Sequence, residues 1–488
     1  MTSAAAGASL AWRAAIPLLA GAAIAVSPAP AGLEPHAWLY FAVFVAAILG
    51  LITEPLPAPA IGLIAVTFLA TLRLPFSPAQ LADPDFRLQA EALRWALAGF
   101  ANGTVWLIFS AFVVAMGYER TRLGRRIALM LVRRLGHSAL GLGYAIALSD
   151  LVLAPFTPSN TARSAGTIFP IIRNIPELYG SRPGDSPRLI GAYLMWVAFA
   201  ATCVTSSMFV TALAPNLLAL EMVRAATGIQ ITWTQWLVGF LPVGVPLVLL
   251  LPYVVYKVYP PQIRTNVEVP RWATAELAGM GRMSAHETIM ALLVVGALTL
   301  WIFGASAIDP TLVALVVISL MLVTGVVGWD DIVSHKPAWN VLAWFATLVV
   351  LADGLNKVGF VGWFGKAAAA LLTGHAPMVV MVSLVALFFF VHYMFASLTA
   401  HTTAVLPVIL AAGVGVPGMP IETFALLLCY SLGIMGVITP YATGPAPVYF
   451  ASGFIARKEF WRLGLLFGLI YLGALLLIGV PWLTMVGA

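Results

Sequence analysis

Pro155-Phe156-Thr157-Pro158-Ser159-Asn160-Thr161-Ala162-Arg163 interrupts an otherwise apolar stretch of this chain, and Ser397-Leu398-Thr399-Ala400-His401-Thr402-Thr403 interrupts a second one. Hydroxyl and amide groups are costly to bury without partners, and hydrocarbon supplies none. Polar interruptions at corresponding positions of two halves point to a transporter's substrate site. They also decide the fold. Each reads as a re-entrant hairpin, a backbone turn tolerated at membrane depth only where it is buried in protein or lines a cavity.

The rest of the chain supplies the membrane protein around them. Of 488 residues, 61% are hydrophobic and 9% charged, against about 25% charged in soluble domains. Apolar segments recur near 14–31, 36–53, 57–74, 104–118, 141–156, 190–222, 236–257, 286–304, 309–328, 340–355, 376–396, 421–452 and 463–484. A span needs roughly 20 apolar residues. With 141–156 and 376–396 assigned to the hairpins, about eleven transmembrane helices remain. The fold expected is therefore an all-α polytopic membrane protein.

The net charge of +6 tracks topology and does not indicate nucleic acid. Arg120, Arg122, Arg125, Arg126, Arg133 and Arg134 form one basic cluster. Lys257, Arg264, Arg271 and Arg282 form a second, and Arg457, Lys458 and Arg462 a third. The positive-inside rule puts all three in the cytoplasm, with the N-terminus inside and the C-terminus outside. A bacterial inner membrane is the expected location. The stretch from Ala14 to Pro30 is long enough to read as a retained anchor in preference to a cleaved signal. Cys203 and Cys429 both lie in apolar runs and imply neither a disulfide framework nor a thiolate metal site.

A basic, proline-containing stretch from Tyr259 to Ser284 divides the chain. Val113-Val114 and Leu123-Gly124 resemble Val349-Val350 and Val358-Gly359 across it. The polar tips follow in each half, and then a T-x-x-A-P segment, Thr211 to Pro215 and Thr443 to Pro447. The three matches keep their order at offsets of 236, 241 and 232 residues, the middle one pairing Ser159 with Ala400. Residues 1–35 are read as an N-terminal helix and 36–258 as the first repeat, with a hairpin near 141–176. Residues 259–284 form a cytoplasmic linker, and 285–488 the second repeat, with a hairpin near 376–413. Halves with odd numbers of spans are inverted, so the tips should approach the midplane from opposite faces and meet. Residues 119–137 suit an amphipathic helix on the cytoplasmic surface, and 78–100 an extracytoplasmic interfacial segment.

A helix starting at Ser159-Asn160-Thr161 offers unpaired N–H groups and about half a positive charge, which fits an anionic carboxylate. Two opposed hairpins offer two such starts, which implies a C4 to C6 dicarboxylate. The competing reading is that these residues only cap their hairpins. Pro215, Pro440, Pro445 and Pro447 disrupt helix, so Thr211 and Thr443 are read on unwound backbone, with plain proline kinks as the alternative. Arg163 and His401 are charged or titratable groups in an apolar zone and are read as facing the anion. For Arg163 the rival partner is Asp150, on the other arm of the same hairpin.

These residues resemble the divalent anion:sodium symporter family, in particular its exchanger branch of 2-oxoglutarate/malate translocators and citrate/succinate or tartrate/succinate antiporters. The likeness spans nearly the whole chain. It is most specific at Thr157 to Ser164, Thr399 to Thr403 and Thr443 to Phe450. It implies a homodimeric, elevator-type transporter with a scaffold domain and a moving transport domain. It implies substrate contacts from two Ser-Asn-Thr motifs that also help to build sodium sites. The first motif is intact here; Ala400-His401-Thr402 is read in place of the second, which argues against sodium coupling. A covalently attached cation cannot leave with the substrate, so an empty carrier should cross poorly.

The expected activity is sodium-independent exchange of di- or tricarboxylates (2-oxoglutarate, malate, succinate, tartrate or citrate), with a sodium-coupled symporter as the alternative. The expected contacts are Ser159, Asn160, Thr161, Arg163, Thr211, Thr399, His401, Thr402 and Thr443. The partners are the carboxylate, its counter-substrate and lipid, with no cofactor and no resident metal. An enzyme is not indicated, because no H-E-x-x-H, G-x-S-x-G or paired intramembrane aspartates occur.

Overall fold

A computed structural model describes residues 3–265, 267–304, 307–372 and 374–487. Among them the regular structure is helical, apart from an isolated bridge between Ser138 and Thr265. The first half opens with α1 (Ser3–Val26), α2 (Pro35–Thr53) and α3 (Ala58–Thr71), then two short helices, α4 (Pro78–Ala82) and α5 (Leu88–Leu97). Helices α6 (Gly103–Thr121) and α7 (Leu123–Leu135) lead into a hairpin. Its outgoing arm is α8 (Ala139–Leu153), and its returning arm is Thr161–Ile168 followed by α9 (Phe169–Ile172). The half closes with α10 (Gly191–Met208), α11 (Ala214–Thr227) and α12 (Trp233–Val258), and α13 (Glu268–Gly279) occupies the divide.

The second half repeats this order. Helices α14 (Ala285–Phe303), α15 (Pro310–Val323), α16 (Trp329–Ser334), α17 (Lys336–Lys357) and α18 (Phe360–Leu372) lead to its hairpin, α19 (Pro377–Val391) and α20 (Leu398–Val414). Then come α21 (Ile421–Ile434), α22 (Pro445–Ala451), α23 (Arg457–Ala474) and α24 (Val480–Val486). Four pairs of helices agree in length across the halves. Helices α2 and α14 have 19 residues, α3 and α15 have 14, α7 and α18 have 13, and α8 and α19 have 15. Even the corner before each 13-residue helix is shared, with left-handed backbone at Arg122 (φ 59) and Gly359 (φ 84).

Nine described helices are long and apolar enough to cross a membrane, and two of these, Ala139–Phe156 and Pro377–Met394, are hairpin arms. Six shorter apolar helices are also described. Leu398–Val414 is the returning arm of the second hairpin, and Phe360–Leu372 is the counterpart of α7. The other four, Trp12–Val26, Ala58–Thr71, Pro310–Val323 and Ile421–Val437, make eleven candidate spans with the remaining seven long helices. The two long apolar runs are both broken, as their prolines require. Pro215 and Pro445 sit in the first turns of α11 and α22, where a missing N–H costs nothing.

Helices pack into two groups. In one, α17 lies on α3 and α6, and α6 lies on α15; in the other, α10 is the hub, touching α8, α12 and α21. All 18 residues of α10 are buried, as expected of a helix with no lipid-facing stripe. At its crossing with α21, a β-carbon on Gly433 would lie 2.4 Å from Ser207 Oγ and 2.9 Å from the Cys203 carbonyl oxygen. The backbones of the two broken helices therefore touch. Helix α11 meets both groups, packing on α17 and on α20.

Helix α7 is the amphipathic element expected over 119–137, but its basic residues are not all solvated. Arg126 is buried and forms a double ion pair with Glu287 at the start of α14, Nε to Oε1 at 2.7 Å and Nη2 to Oε2 at 3.2 Å. Its Nη1 donates to the Gly281 carbonyl at 3.0 Å. Breaking one side of such a pair leaves an uncompensated charge. Arg126→Met should therefore cost about 3–5 kcal/mol, read as a lower Tm in detergent, and adding Glu287→Leu should recover most of it. An unchanged Tm in the single variant would mean that the pair does not anchor α7.

Candidate functional site

The two hairpins share their outgoing arm and the register of their tips, while hairpin 1 returns through a π-helical turn, Thr161–Ile168, and hairpin 2 through the 17-residue α20. Helix α8 ends in one 3-10 turn, Ala154–Phe156, and α19 in another, His392–Met394. At the first tip Ser159 Oγ accepts from Ala162 N at 3.2 Å, and the Ser159 carbonyl accepts from Arg163 N at 2.9 Å. At the second, Ser397 Oγ accepts from Ala400 N at 3.3 Å, and the Ser397 carbonyl accepts from His401 N at 3.0 Å. Both serines cap the returning helix, meeting N–H groups it leaves free.

This register corrects the expected alignment by three residues. Ser397 is the counterpart of Ser159, at an offset of 238, so Leu398 faces Asn160, Thr399 faces Thr161 and His401 faces Arg163. The polar cluster inside α20 suggests the other alignment, but the capping serine fixes the turn. The second tip thus keeps its serine and threonine and loses only the asparagine, to Leu398.

Arg163 does not face an open site. Its side chain is fully buried, with Nε on Asp150 Oδ2 at 3.1 Å. Its Nη1 donates to the carbonyls of Thr157 at 3.0 Å and Ala212 at 2.9 Å. Its Nη2 reaches Ser206 Oγ at 3.0 Å and Thr202 Oγ1 at 3.2 Å, and Asp150 Oδ2 also accepts from Thr205. The expectation of a substrate-facing guanidinium is therefore corrected. Five donors are spent on the protein, binding the hairpin tip to the break between α10 and α11. Thr202, Thr205 and Ser206 were missed from sequence. Their spacing along α10, within a run otherwise apolar, was the available signal.

Three other expected contacts also turn inward. Thr211 is buried, donates to the Pro155 carbonyl at 2.6 Å and accepts from Trp233 Nε1 at 3.4 Å. Thr402 is buried and donates to the Leu398 carbonyl one turn back, at 2.8 Å. His401 is buried among Phe388, His392 and Phe395, with ring centroids 4.4, 4.9 and 5.1 Å away. Neither of its ring nitrogens has a partner among the described residues. A charged imidazole there would lie unpaired in an apolar cage.

Of the remaining expected residues, Asn160, Thr161 and Thr443 meet where hairpin 1 packs on the break of the second half. Asn160 Nδ2 donates to Thr443 Oγ1 at 2.8 Å, across 283 residues of sequence. Ser164 Oγ and Tyr449 OH lie 2.8 Å apart one turn further on. Thr161 and Gly444 are both exposed and in contact; a β-carbon on Gly444 would sit 1.8 Å from Thr161 Oγ1. Ser159 and Thr399 are half-buried and Ser397 is exposed. Hairpin 2 reaches the same break through His392, whose Nε2 lies 2.8 Å from the Ala442 carbonyl oxygen. The two tips are thereby joined through residues 442–443. No group of three or more His, Cys, Asp or Glu that could hold a metal occurs among the described residues.

Comparison with known proteins agrees with this architecture. The family model for the sodium:sulfate symporter transmembrane region matches residues 8–488. L-tartrate/succinate antiporters of Escherichia coli strain K12 and of Shigella sonnei are each 49% identical over 478 residues, covering 97% of this chain and 98% of theirs. The crystal structure of the Alcanivorax borkumensis YdaH transporter superposes with a TM-score of 0.59 at 15% identity, covering 87% of this chain and 98% of that one. That last likeness is one of fold. The chain belongs to the divalent anion:sodium symporter family, which consists of membrane transporters and not enzymes.

The contact at Gly444 leaves no room for a side chain. Gly444→Ala should lower the Tm and abolish ligand-induced stabilisation, while Thr161→Ala added to it should restore the Tm by removing the clashing Oγ1. Overpacking of this kind costs typically about 1–3 kcal/mol. A Gly444→Ala protein with wild-type Tm and ligand response would mean that the tip and the break do not touch.

Proposed function

We propose that this protein is a sodium-independent antiporter that exchanges C4 dicarboxylates, tartrate and succinate first among them, across a bacterial inner membrane. The substrate class follows from the full-length similarity to L-tartrate/succinate antiporters. Ser159, Asn160, Thr161, Thr399 and Thr443 are assigned to the carboxylates. The first tip presents the start of a helix with its N–H groups and dipole, and Thr161 lies on the exposed flank beside Gly444.

The observation that carries sodium independence is the seat of Arg163. Carbonyl oxygens from the tip (Thr157) and the break (Ala212) converge on its Nη1. Hard cations are held by oxygen ligands of this kind, and here a tethered guanidinium already occupies them. At the second tip, Leu398 offers no side-chain oxygen where the first has Asn160. Because Asp150 balances Arg163, the tethered group is not an unpaired fixed charge; the need for a counter-anion is drawn from the antiporter relatives.

An elevator motion suits the two helix groups, with α8 to α12 and α19 to α24 moving against α1 to α6 and α14 to α17 on the α7 and α18 arms. The repeats are assigned to 36–258 and 285–488, around the 259–284 linker and after the N-terminal helix. A homodimer with a cytoplasmic N-terminus completes the assembly.

Proteoliposomes test the reading. Labelled succinate should enter vesicles preloaded with succinate or tartrate, should not enter empty ones, and should do so equally in sodium, potassium or choline. Sodium-driven uptake into empty vesicles would contradict it and support the symporter.

A further inference from the structure

Each half of the molecule breaks a helix beside its hairpin, and each break frees a carbonyl that must find a donor. In the first half Arg163 supplies it, through Nη1 to Ala212 O. The residue in the same register of the second half, His401, supplies none. The corresponding bond comes from nine residues earlier. His392, in the 3-10 turn that ends α19, lies with Nε2 2.8 Å from Ala442 O. A carbonyl only accepts, so Nε2 carries the hydrogen and the ring is held as that tautomer.

We infer that His392 is a positioning residue for transport: it holds the 439–444 break so that Thr443 presents its hydroxyl to Asn160 and the ligand. His392 is fully buried, so it touches no substrate itself. Its ring packs at 4.9 Å on that of His401, which fixes its orientation from the other side. Ala442 immediately precedes Thr443, whose Oγ1 meets Asn160. Residues 439–444 are held at their end by Ala446 N on the Thr443 carbonyl at 2.9 Å and by Asn160, but the bonds the segment makes within itself are long. Tyr441 N reaches Thr439 Oγ1 only at 3.3 Å, and Ala442 N reaches Thr439 O at 3.4 Å. Tyr441 OH donates to the Tyr393 carbonyl at 3.0 Å, a second tie to the same turn of hairpin 2. His392 therefore links hairpin 2 to a break that hairpin 1 also grips.

The inference rests on the exchange reading for its kinetics but not for its structural half, so two substitutions and two readouts separate them. His392→Phe keeps a ring against His401 and removes the donor; His392→Gln keeps an N–H that reaches the same distance. His392→Phe should raise the KM for succinate counterflow on the order of tenfold, with Vmax changed far less. His392→Gln should stay close to wild type. Independently of any substrate, hydrogen exchange at the amides of Tyr441 to Gly444 should quicken on the order of tenfold in His392→Phe and not in His392→Gln. Wild-type KM and amide exchange in His392→Phe would overturn the inference. So would a His392→Gln protein of wild-type Tm that loses affinity as badly as His392→Phe. Should the wild type exchange no dicarboxylate while His392→Phe still loosens 441–444, the function would fall and the positioning role would stand.

Discussion

Backbone freed at membrane depth must be satisfied by protein, and this requirement shapes the whole molecule. Two hairpin tips and two helix breaks leave N–H and C=O groups that no regular helix satisfies. The first half answers with Arg163 on Thr157 and Ala212, with Thr211 on Pro155, and with Ala214 N on the Pro158 carbonyl at 2.8 Å. Each unsatisfied group would cost on the order of 1–3 kcal/mol. Hairpin 1 and the first break thus behave as one piece, held by side chains that a sequence reading would assign to a ligand.

The duplication is close in length and register but not in chemistry. Serine caps both tips, and both return arms open in the same way. Arginine in one half is replaced by a pair of histidines in the other, and asparagine by leucine. The tip that kept its asparagine spends it on the break of the opposite half, at Thr443. Hairpin 1 therefore contacts the breaks of both halves, its own through Arg163 and the other through Asn160 and Thr161, with Ser164 meeting Tyr449 on α22 beyond it. That crossing joins the two copies of one motif.

Much of this was legible in the sequence. Composition and the two polar interruptions sufficed for an all-helical membrane protein with paired hairpins, and the proline-bearing T-x-x-A-P segments marked both breaks. Individual roles were less legible, because a buried guanidinium has the same sequence signature whether it meets an anion or a set of carbonyls. Asp150 is the rival partner that the sequence offers, and only the third dimension adds the α10 hydroxyls and the Thr157 and Ala212 carbonyls around Arg163. The three-residue slip at the second tip has a related cause. Polar residues attract attention, whereas register is set by the one serine that accepts a helix's first N–H. His392 gave no signal, since a lone histidine at the end of an apolar helix is ordinarily a satisfied core residue.

The central claim is that tip and break from opposite halves form one ligand site through Asn160 and Thr443. A double-mutant cycle on equilibrium succinate binding tests it directly, with Asn160→Ala, Thr443→Ala and the pair. Each substitution should weaken binding, and the two should be coupled by about 1 kcal/mol or more, since residues in contact are non-additive. Losses that simply add, within about 0.5 kcal/mol, or binding unchanged in both single variants, would contradict it.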